Sequence, residues 1–272
     1  PRHGGGFCYN HAMSQWRLVS WNVNGLRAIE KKGFVAWLGR EKYDVVALQE
    51  TKVSRDTKLS AELIEPDGYR SSWDYASEKR GYSGVVVYSR PVPARVSTTF
   101  GRYDILAREG RMLELDYGDF IFLNIYFPNG GSGPARLKYK LDFYQQFLDY
   151  LGDLRRSGRQ VIFAGDVNTA HKEIDLARPK ENANTSGFLL AERQWLDRFV
   201  AAGFVDTFRL FQTGGDHYSW WDQKTRARDR NVGWRIDYFF VSADLVPKVR
   251  DAFILSDVLG SDHAPVGLIL DL

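Results

Sequence analysis

Val161-Ile162-Phe163-Ala164-Gly165-Asp166-Val167-Asn168 runs from four apolar residues straight into a carboxylate and an amide. Valine, isoleucine and phenylalanine favour a pleated, buried strand, so the spacing predicts a strand over 161–164 with Asp166 and Asn168 just past its end. Upstream, Leu137, Leu141, Tyr144, Phe147, Leu148, Leu151 and Leu154 recur at helical intervals, and Gly158 stands where that helix should stop. A helix that delivers the chain to a buried strand with a polar far end is a unit of an α/β sheet, where ligands bind beyond the carboxyl ends of strands.

The same reading extends outward. Arg17 to Trp21, Val45 to Leu48, Gly84 to Tyr88, Ile236 to Val241 and Val266 to Leu270 all read as strands. Met112 to Tyr117 and Phe120 to Tyr126 flank Gly118-Asp119 as a hairpin. A second helix is expected from about Ala191 to Ala202, ended by Gly203. Strands in hairpins as well as beside helices imply α/β sheets packed together with helices outside. Asn22 and Glu50, like Asp166, fall just after apolar strands, so several polar groups share one rim.

Composition narrows the chemistry. With 272 residues, 44% hydrophobic and 26% charged, the chain can bury roughly three quarters of its unfolded surface without a staple. The single cysteine, Cys8, rules out an internal disulfide framework and a zinc-thiolate site. No apolar run approaches the roughly 20 residues of a membrane helix, so no membrane partner is expected. Residues 1–15, rich in glycine near their start, read as a disordered or appended arm, and 16–272 as one catalytic domain.

Asp262-His263, in Gly260-Ser-Asp-His-Ala-Pro265, suggests an acid-oriented imidazole. A serine hydrolase is excluded because no Gly-x-Ser-x-Gly elbow occurs; Gly81-Tyr82-Ser83-Gly84 has the wrong spacing. Oxygen donors are plentiful where transition-metal motifs are lacking, which points to Mg²⁺, with Mn²⁺ as an alternative. Asp237, within Arg235-Ile-Asp-Tyr-Phe-Phe-Val241, is an acid in an apolar strand and must be paired or put to use. Lys224-Thr-Arg226-Ala-Arg228-Asp-Arg230 would place its charges on one face if extended, and Tyr218, Trp220, Trp221 and Trp234 flank it. Cations beside aromatic platforms suit a partly unstacked nucleic acid.

Ser20-Trp-Asn-Val-Asn-Gly-Leu-Arg27, Leu48-Gln-Glu-Thr-Lys52, Gly81-Tyr-Ser-Gly-Val85, Tyr126-Phe-Pro-Asn129, Gly165-Asp-Val-Asn-Thr-Ala-His171, Glu173-Ile-Asp-Leu176, Asn231-Val-Gly-Trp-Arg-Ile-Asp-Tyr238 and Gly260-Ser-Asp-His-Ala-Pro265 follow one another in order. In this order they resemble the exonuclease III group of apurinic/apyrimidinic endonucleases, within the endonuclease/exonuclease/phosphatase superfamily, over about Trp16 to Leu272. The resemblance implies a four-layered α/β sandwich, two mixed β-sheets face to face with helices outside. It implies a Mg²⁺-dependent enzyme that cuts double-stranded DNA 5′ to an abasic site, leaving a 3′-hydroxyl, with 3′-to-5′ exonuclease activity alongside. Incision at a damaged or deaminated base such as uracil, and a silent DNA-binding relative, are the alternatives.

The roles it implies are specific. Glu50 would ligate the metal with Asn24, where many relatives carry Asp, and Asp262 nearby. Asp166 would orient or deprotonate water, and Asn168 would hold it or a phosphate oxygen. His263, fixed by Asp262, would donate to the scissile phosphate, with Asn22, Tyr126 and Asn129 as further contacts and Asp237 completing the site. Trp220, Trp234 and Ile236 match the pocket for a flipped-out baseless sugar. Arg27, Lys52, Asn182 and Arg235 are expected on DNA, as is Lys224, by insertion or by phosphate contact. The expected protein is a monomer, cytoplasmic and nucleoid-associated in a prokaryote or nuclear in a eukaryote.

Overall fold

A computed structural model describes residues 14–76 and 79–272. Fourteen strands follow in chain order: β1 (Gln15–Asn22), β2 (Val45–Gln49), β3 (Arg70–Asp74), β4 (Val85–Ser89), β5 (Arg95–Ser97), β6 (Met112–Asp116), β7 (Ile121–Tyr126), β8 (Val161–Asp166), β9 (Phe204–Asp206), β10 (Trp220–Trp221), β11 (Gly233–Trp234), β12 (Asp237–Ser242), β13 (Val249–Ile254) and β14 (Val266–Asp271). The α-helices are α1 (Leu26–Glu30), α2 (Phe34–Glu41), α3 (Ala61–Ile64), α4 (Pro134–Arg156), α5 (Leu190–Ala201) and α6 (Phe208–Phe211). One sheet has the order β13-β14-β1-β2-β4-β3, a second β5-β6-β7-β8-β12-β9, and β10-β11 form a ribbon. Both large sheets are mixed, with β1/β2 and β7/β8 parallel.

Strand alternation makes the layers. Leu18 enters the core between the sheets with Val45, Val87, Phe122, Ile162 and Phe239, while its neighbour Val19 turns outward onto Phe34, Trp37 and Leu38 of α2. On the opposite flank Leu123, Phe163 and Phe240 meet Phe143, Phe147 and Leu151 of α4 and Phe199 of α5. Helix, sheet, sheet and helix are thus the expected four layers.

The helix expected from Leu137 starts earlier, at Pro134, because proline fits a first helical position whose amide has no partner anyway. Of the expected arm, residues 1–13 lie outside the described residues, whereas Gln15 already pairs with Asp271 in β1. The basic segment is not extended. Ala227–Arg230 form a 3₁₀ turn between left-handed Arg226 and Asn231, and Arg228 turns inward, over the Trp221 ring and onto the carbonyls of Ser256 and Val258. Asp222 accepts the Lys224 amide and starts that turn, so the charges do not share one face. No described helix is long and apolar enough to cross a membrane.

At the end of β3, Asp74 Oδ2 is buried without a hydrogen-bond partner; the other oxygen accepts the Tyr75 amide at 3.0 Å. Burial pushes this carboxyl up to about 7. Since the unfolded value is near 3.9, the native state keeps a proton between about pH 4 and pH 7 that the unfolded chain has lost, and stability falls as pH rises through that window. Asp74→Asn, isosteric with the protonated form, is expected to leave Tm unchanged near pH 4 and to raise it by about 4–8 °C at pH 8, for about 2 kcal/mol. Equal Tm shifts at both pH values in thermal melts would contradict this.

Candidate active site

The ends of β1, β2, β7 and β8 and the start of β12 meet at one rim. Tyr126 and Asp166 are parallel partners across β7 and β8, and Asp237 faces Asp166 across β8 and β12. Gly165 lets the strands approach: with φ 149°, a Cβ there would lie 1.7 Å from the Ile125 carbonyl oxygen, so no other residue fits. Glu50 and Asn168 both adopt left-handed backbone, φ 53° and 55°, as the chain turns out of its strands.

Asn22 joins the two sheets. Its Nδ2 donates to Asp166 Oδ2 at 2.8 Å and to Glu50 Oε2 at 3.1 Å. Asp166 also accepts the Asn168 amide (2.7 Å) and side chain (3.2 Å). Asn129 donates to Asn168 Oδ1 at 3.0 Å, which leaves the Asn168 amide nitrogen for Asp166 and the Phe127 carbonyl. The Arg111 guanidinium lies 4.7 Å from the centre of the Tyr126 ring; burial, then Glu50, hold the Tyr126 hydroxyl well above its ordinary pKa, so it is a neutral donor.

Asp262 does not orient His263, contrary to the expectation. His263 Nδ1 lies 2.8 Å from Asp237 Oδ2, which Ser219 Oγ also contacts at 2.6 Å. Asp262 instead accepts Asn24 Nδ2 at 2.8 Å and Trp220 Nε1 at 3.2 Å. Adjacent residues of an extended chain point to opposite sides, and the isolated bridge between His263 and Trp220 shows that this segment is extended. Burial opposes charge on His263, but attraction to Asp237 and Asp166 outweighs it and raises the pKa to about 10. Asp166 is pushed far above the usual carboxylate range by burial and by Asp237. With His263 Nε2 3.9 Å from Asp166 Oδ2, an imidazolium faces a carboxylate able to take a proton near neutrality.

A cleft of about 410 Å³ opens over these groups, with Asn24, Glu50, Tyr126, Asn129, Asp166, Asn168, Asp262 and His263 among its polar lining and Trp220, Trp234 and Ile236 as its apolar wall. Asn22 and Asp237 are buried beneath it. Arg27 and Lys52 border a separate groove with Lys31, Lys32 and Lys58 that meets the cleft at Asn24. Asn182 lies apart, bonded to the Arg178 carbonyl, and Lys224 is on the exposed basic turn. Arg235 cannot reach DNA: it is 1% exposed and paired with Asp175 (2.8 Å) and Asp206 (2.7 Å). Lying between Trp234 and Ile236, which face the cleft, it points the other way. The loop of Thr185, Ser186 and Gly187 forms a cleft wall that motif reading missed; the glycine before Phe188 was its sequence signal.

Whether the donors suit a metal can be judged from their present partners. Lys52 Nζ lies 3.0 Å from Glu50 Oε1 and also donates to Asn24 Oδ1. These oxygens therefore already converge on a cation, and with Asp262 alongside Asn24 they fit a hard divalent ion that keeps several waters. A second cluster, Asp166, Asp237 and His263, has ligand atoms within 4.8 Å of one another. Attraction to the two carboxylates favours the protonated imidazole, which offers no lone pair to a metal, so the cluster is suited to proton transfer.

The model of the Endonuclease/Exonuclease/phosphatase family matches residues 19–263. The chain belongs to that family. It is 42% identical over 260 residues to an exodeoxyribonuclease of Bacillus subtilis, covering 94% of this chain and 100% of the relative. A DNA-(apurinic or apyrimidinic site) endonuclease of Dictyostelium discoideum is 36% identical over 265 residues, 95% of this chain and 72% of that protein. Among solved structures, the AP endonuclease LMAP from Leishmania major superposes with a TM-score of 0.86 at 32% identity, covering 95% of this chain and 88% of the other. The matched span, 19–263, runs from β1 through the His263 imidazole, and so includes every polar group of the cleft.

Proposed function

We propose that this member of the family is a Mg²⁺-dependent DNA repair nuclease that cuts the phosphodiester 5′ to an abasic site in double-stranded DNA, leaving a 3′-hydroxyl, and that it also removes nucleotides from 3′ ends. The observation that carries this reading is the buried imidazole held by Asp237 and facing Asp166, at the floor of a cleft walled by Trp220 and Trp234. Names of the relatives as exodeoxyribonuclease and apurinic-site endonuclease support it.

Asp166 accepts the proton of the attacking water, which Asn168 orients; as the water oxygen bonds to phosphorus the P–O3′ bond breaks, and the leaving 3′-oxygen takes a proton from solvent water to become the 3′-hydroxyl. His263, as imidazolium, donates to a non-bridging oxygen of the scissile phosphate, and Asn129 and the neutral Tyr126 hydroxyl add donors where charge develops. The baseless sugar enters against Trp220, Trp234 and Ile236; a nucleotide without a pairing partner is the cheapest to extrude. Arg27 and the lysines of the adjoining groove track the backbone. A divalent ion bound by Glu50, with Asn24 and Asp262, would neutralise charge on the phosphate oxygens.

Duplexes carrying a tetrahydrofuran abasic analogue, a uracil or a blunt end, incubated with Mg²⁺ or with EDTA, test the reading. Expected, only with Mg²⁺, are a cut 5′ to the analogue whose product a polymerase extends and shortening of the blunt duplex from its 3′ ends. An uncut abasic duplex would sink the reading, and preferential cutting at uracil would favour the direct-incision alternative.

A further inference from the structure

Beneath the cleft wall lies an ion pair that the proposed chemistry does not use. Lys140 of α4 and Glu192 of α5 are both 0% exposed and 2.7 Å apart. Lys140 Nζ spends its three protons on Glu192 Oε1, the Asn168 carbonyl (2.7 Å) and Thr169 Oγ1 (2.8 Å). Glu192 collects the remaining wall: Ser186 Oγ at 3.0 Å on one oxygen, the Gly187 and Leu189 amides at 2.6 and 3.1 Å on the other. Every polar atom of the pair is engaged.

Each end of this pair grips one side of the cleft. The Asn168 carbonyl belongs to the left-handed turn that presents the Asn168 side chain to Asp166. Gly187, also at positive φ, backs onto Trp234: a Cβ there would come 3.2 Å from Trp234 Cζ3 and 3.3 Å from the Asn168 oxygen. The Ala170 amide donates to the Gly187 carbonyl at 2.8 Å and ties the two segments together. Thus water-orienting turn and pocket wall hang from one buried lysine and one buried glutamate. As a stabilising device this is a poor choice, because an apolar pair of similar volume commonly does as well. What an apolar pair cannot do is hold a carbonyl and two amides in fixed places.

We propose that Lys140 and Glu192 are positioning residues that lock the Asn168 turn to the 185–189 wall and thereby set the geometry for turnover at an abasic site. This rests on the function proposed above. Neither residue touches DNA, so the effect belongs in turnover and not in binding.

The test compares wild type, Lys140→Met, Glu192→Gln and Lys140→Arg on the abasic-analogue duplex. Single-turnover rates with Mg²⁺ and duplex Kd in EDTA are read well below each variant's Tm. Lys140→Met and Glu192→Gln should lose about 10²-fold in rate, as expected for a misplaced catalytic group, with Kd within about threefold. Lys140→Arg, which keeps the charge and its donors, should recover to within about tenfold of wild type. Wild-type rates in the folded Met and Gln variants would overturn the proposal and leave the pair structural.

Should those variants fail to fold, amide hydrogen exchange on the wild type decides. Gly187 and Leu189 should be protected as strongly as the amides of β8, since the clamp opens only when the core does; fast exchange there overturns the proposal. If the wild type itself leaves the abasic duplex uncut, the proposed function fails while the exchange result still judges the clamp.

Discussion

Asp166→Asn is expected to lower incision at an abasic site by about 10³-fold or more while duplex affinity stays within about tenfold. Asparagine keeps the shape and can still accept the Asn168 amide, but it cannot take a proton from water. General-base removal typically costs 10²–10⁴-fold, and the upper part of that range is expected because the described carboxylates around Asp166 already hold other groups: Asp237 Oδ2 holds His263 and Ser219, and Glu50 holds Asn22 and Lys52. Affinity should be insulated because the backbone contacts proposed above, Arg27, Lys31, Lys32 and Lys58, border a groove outside the cleft. Single-turnover rates and fluorescence anisotropy in EDTA measure the two quantities. Loss of binding together with rate would make Asp166 an architectural residue.

Asp237→Asn is expected to reduce the rate at pH 8 by about 10²-fold and to move the whole pH–rate profile toward acid. The sign follows from two couplings. His263 is raised to about 10 chiefly because attraction to Asp237 overcomes burial; without that charge, burial prevails and the imidazolium loses its proton at lower pH, so the basic limb moves down. Asp166 is raised by burial and then by repulsion from Asp237; without it the carboxylate ionises at lower pH, so the acidic limb moves down as well. Loss of one oriented donor to the phosphate is worth about 10²–10³-fold. The profile of kcat, with the His263 ring resonances followed by NMR, checks this. An unmoved basic limb would show that another group sustains the charge on His263.

The two-sheet sandwich was legible because its strands carry period-2 and apolar signals that no nearby residue counterfeits. The strands expected from Arg17, Val45, Gly84, Val161, Ile236 and Val266 are within a residue or two of the observed ones at their starts. Most of the polar rim was legible for the same reason, since a carboxylate or amide placed directly after a buried strand has one direction to point. What escaped depended on partners remote in sequence. Asp262 is next to His263 in the chain, yet Asp237 reaches it in space, and only the pairing of β12 with β8 reveals that. Arg235 looked like a DNA contact because its neighbours are pocket residues; its actual partners, Asp175 and Asp206, lie 60 and 29 residues away. The Lys140–Glu192 clamp joins residues 52 apart on two helices; Glu192 shows locally only as a cap at the start of α5, and nothing near Lys140 points to it.

Asn22 ends β1, whereas His263 stands three residues before the start of β14, and the Trp21 side chain donates to the His263 carbonyl across 242 residues. β14 lies beside β1 in the finished sheet. Pairing of β14 with β1 is therefore what brings the His263 imidazole, far along the chain, to the rim that Asn22 shares with Asp166.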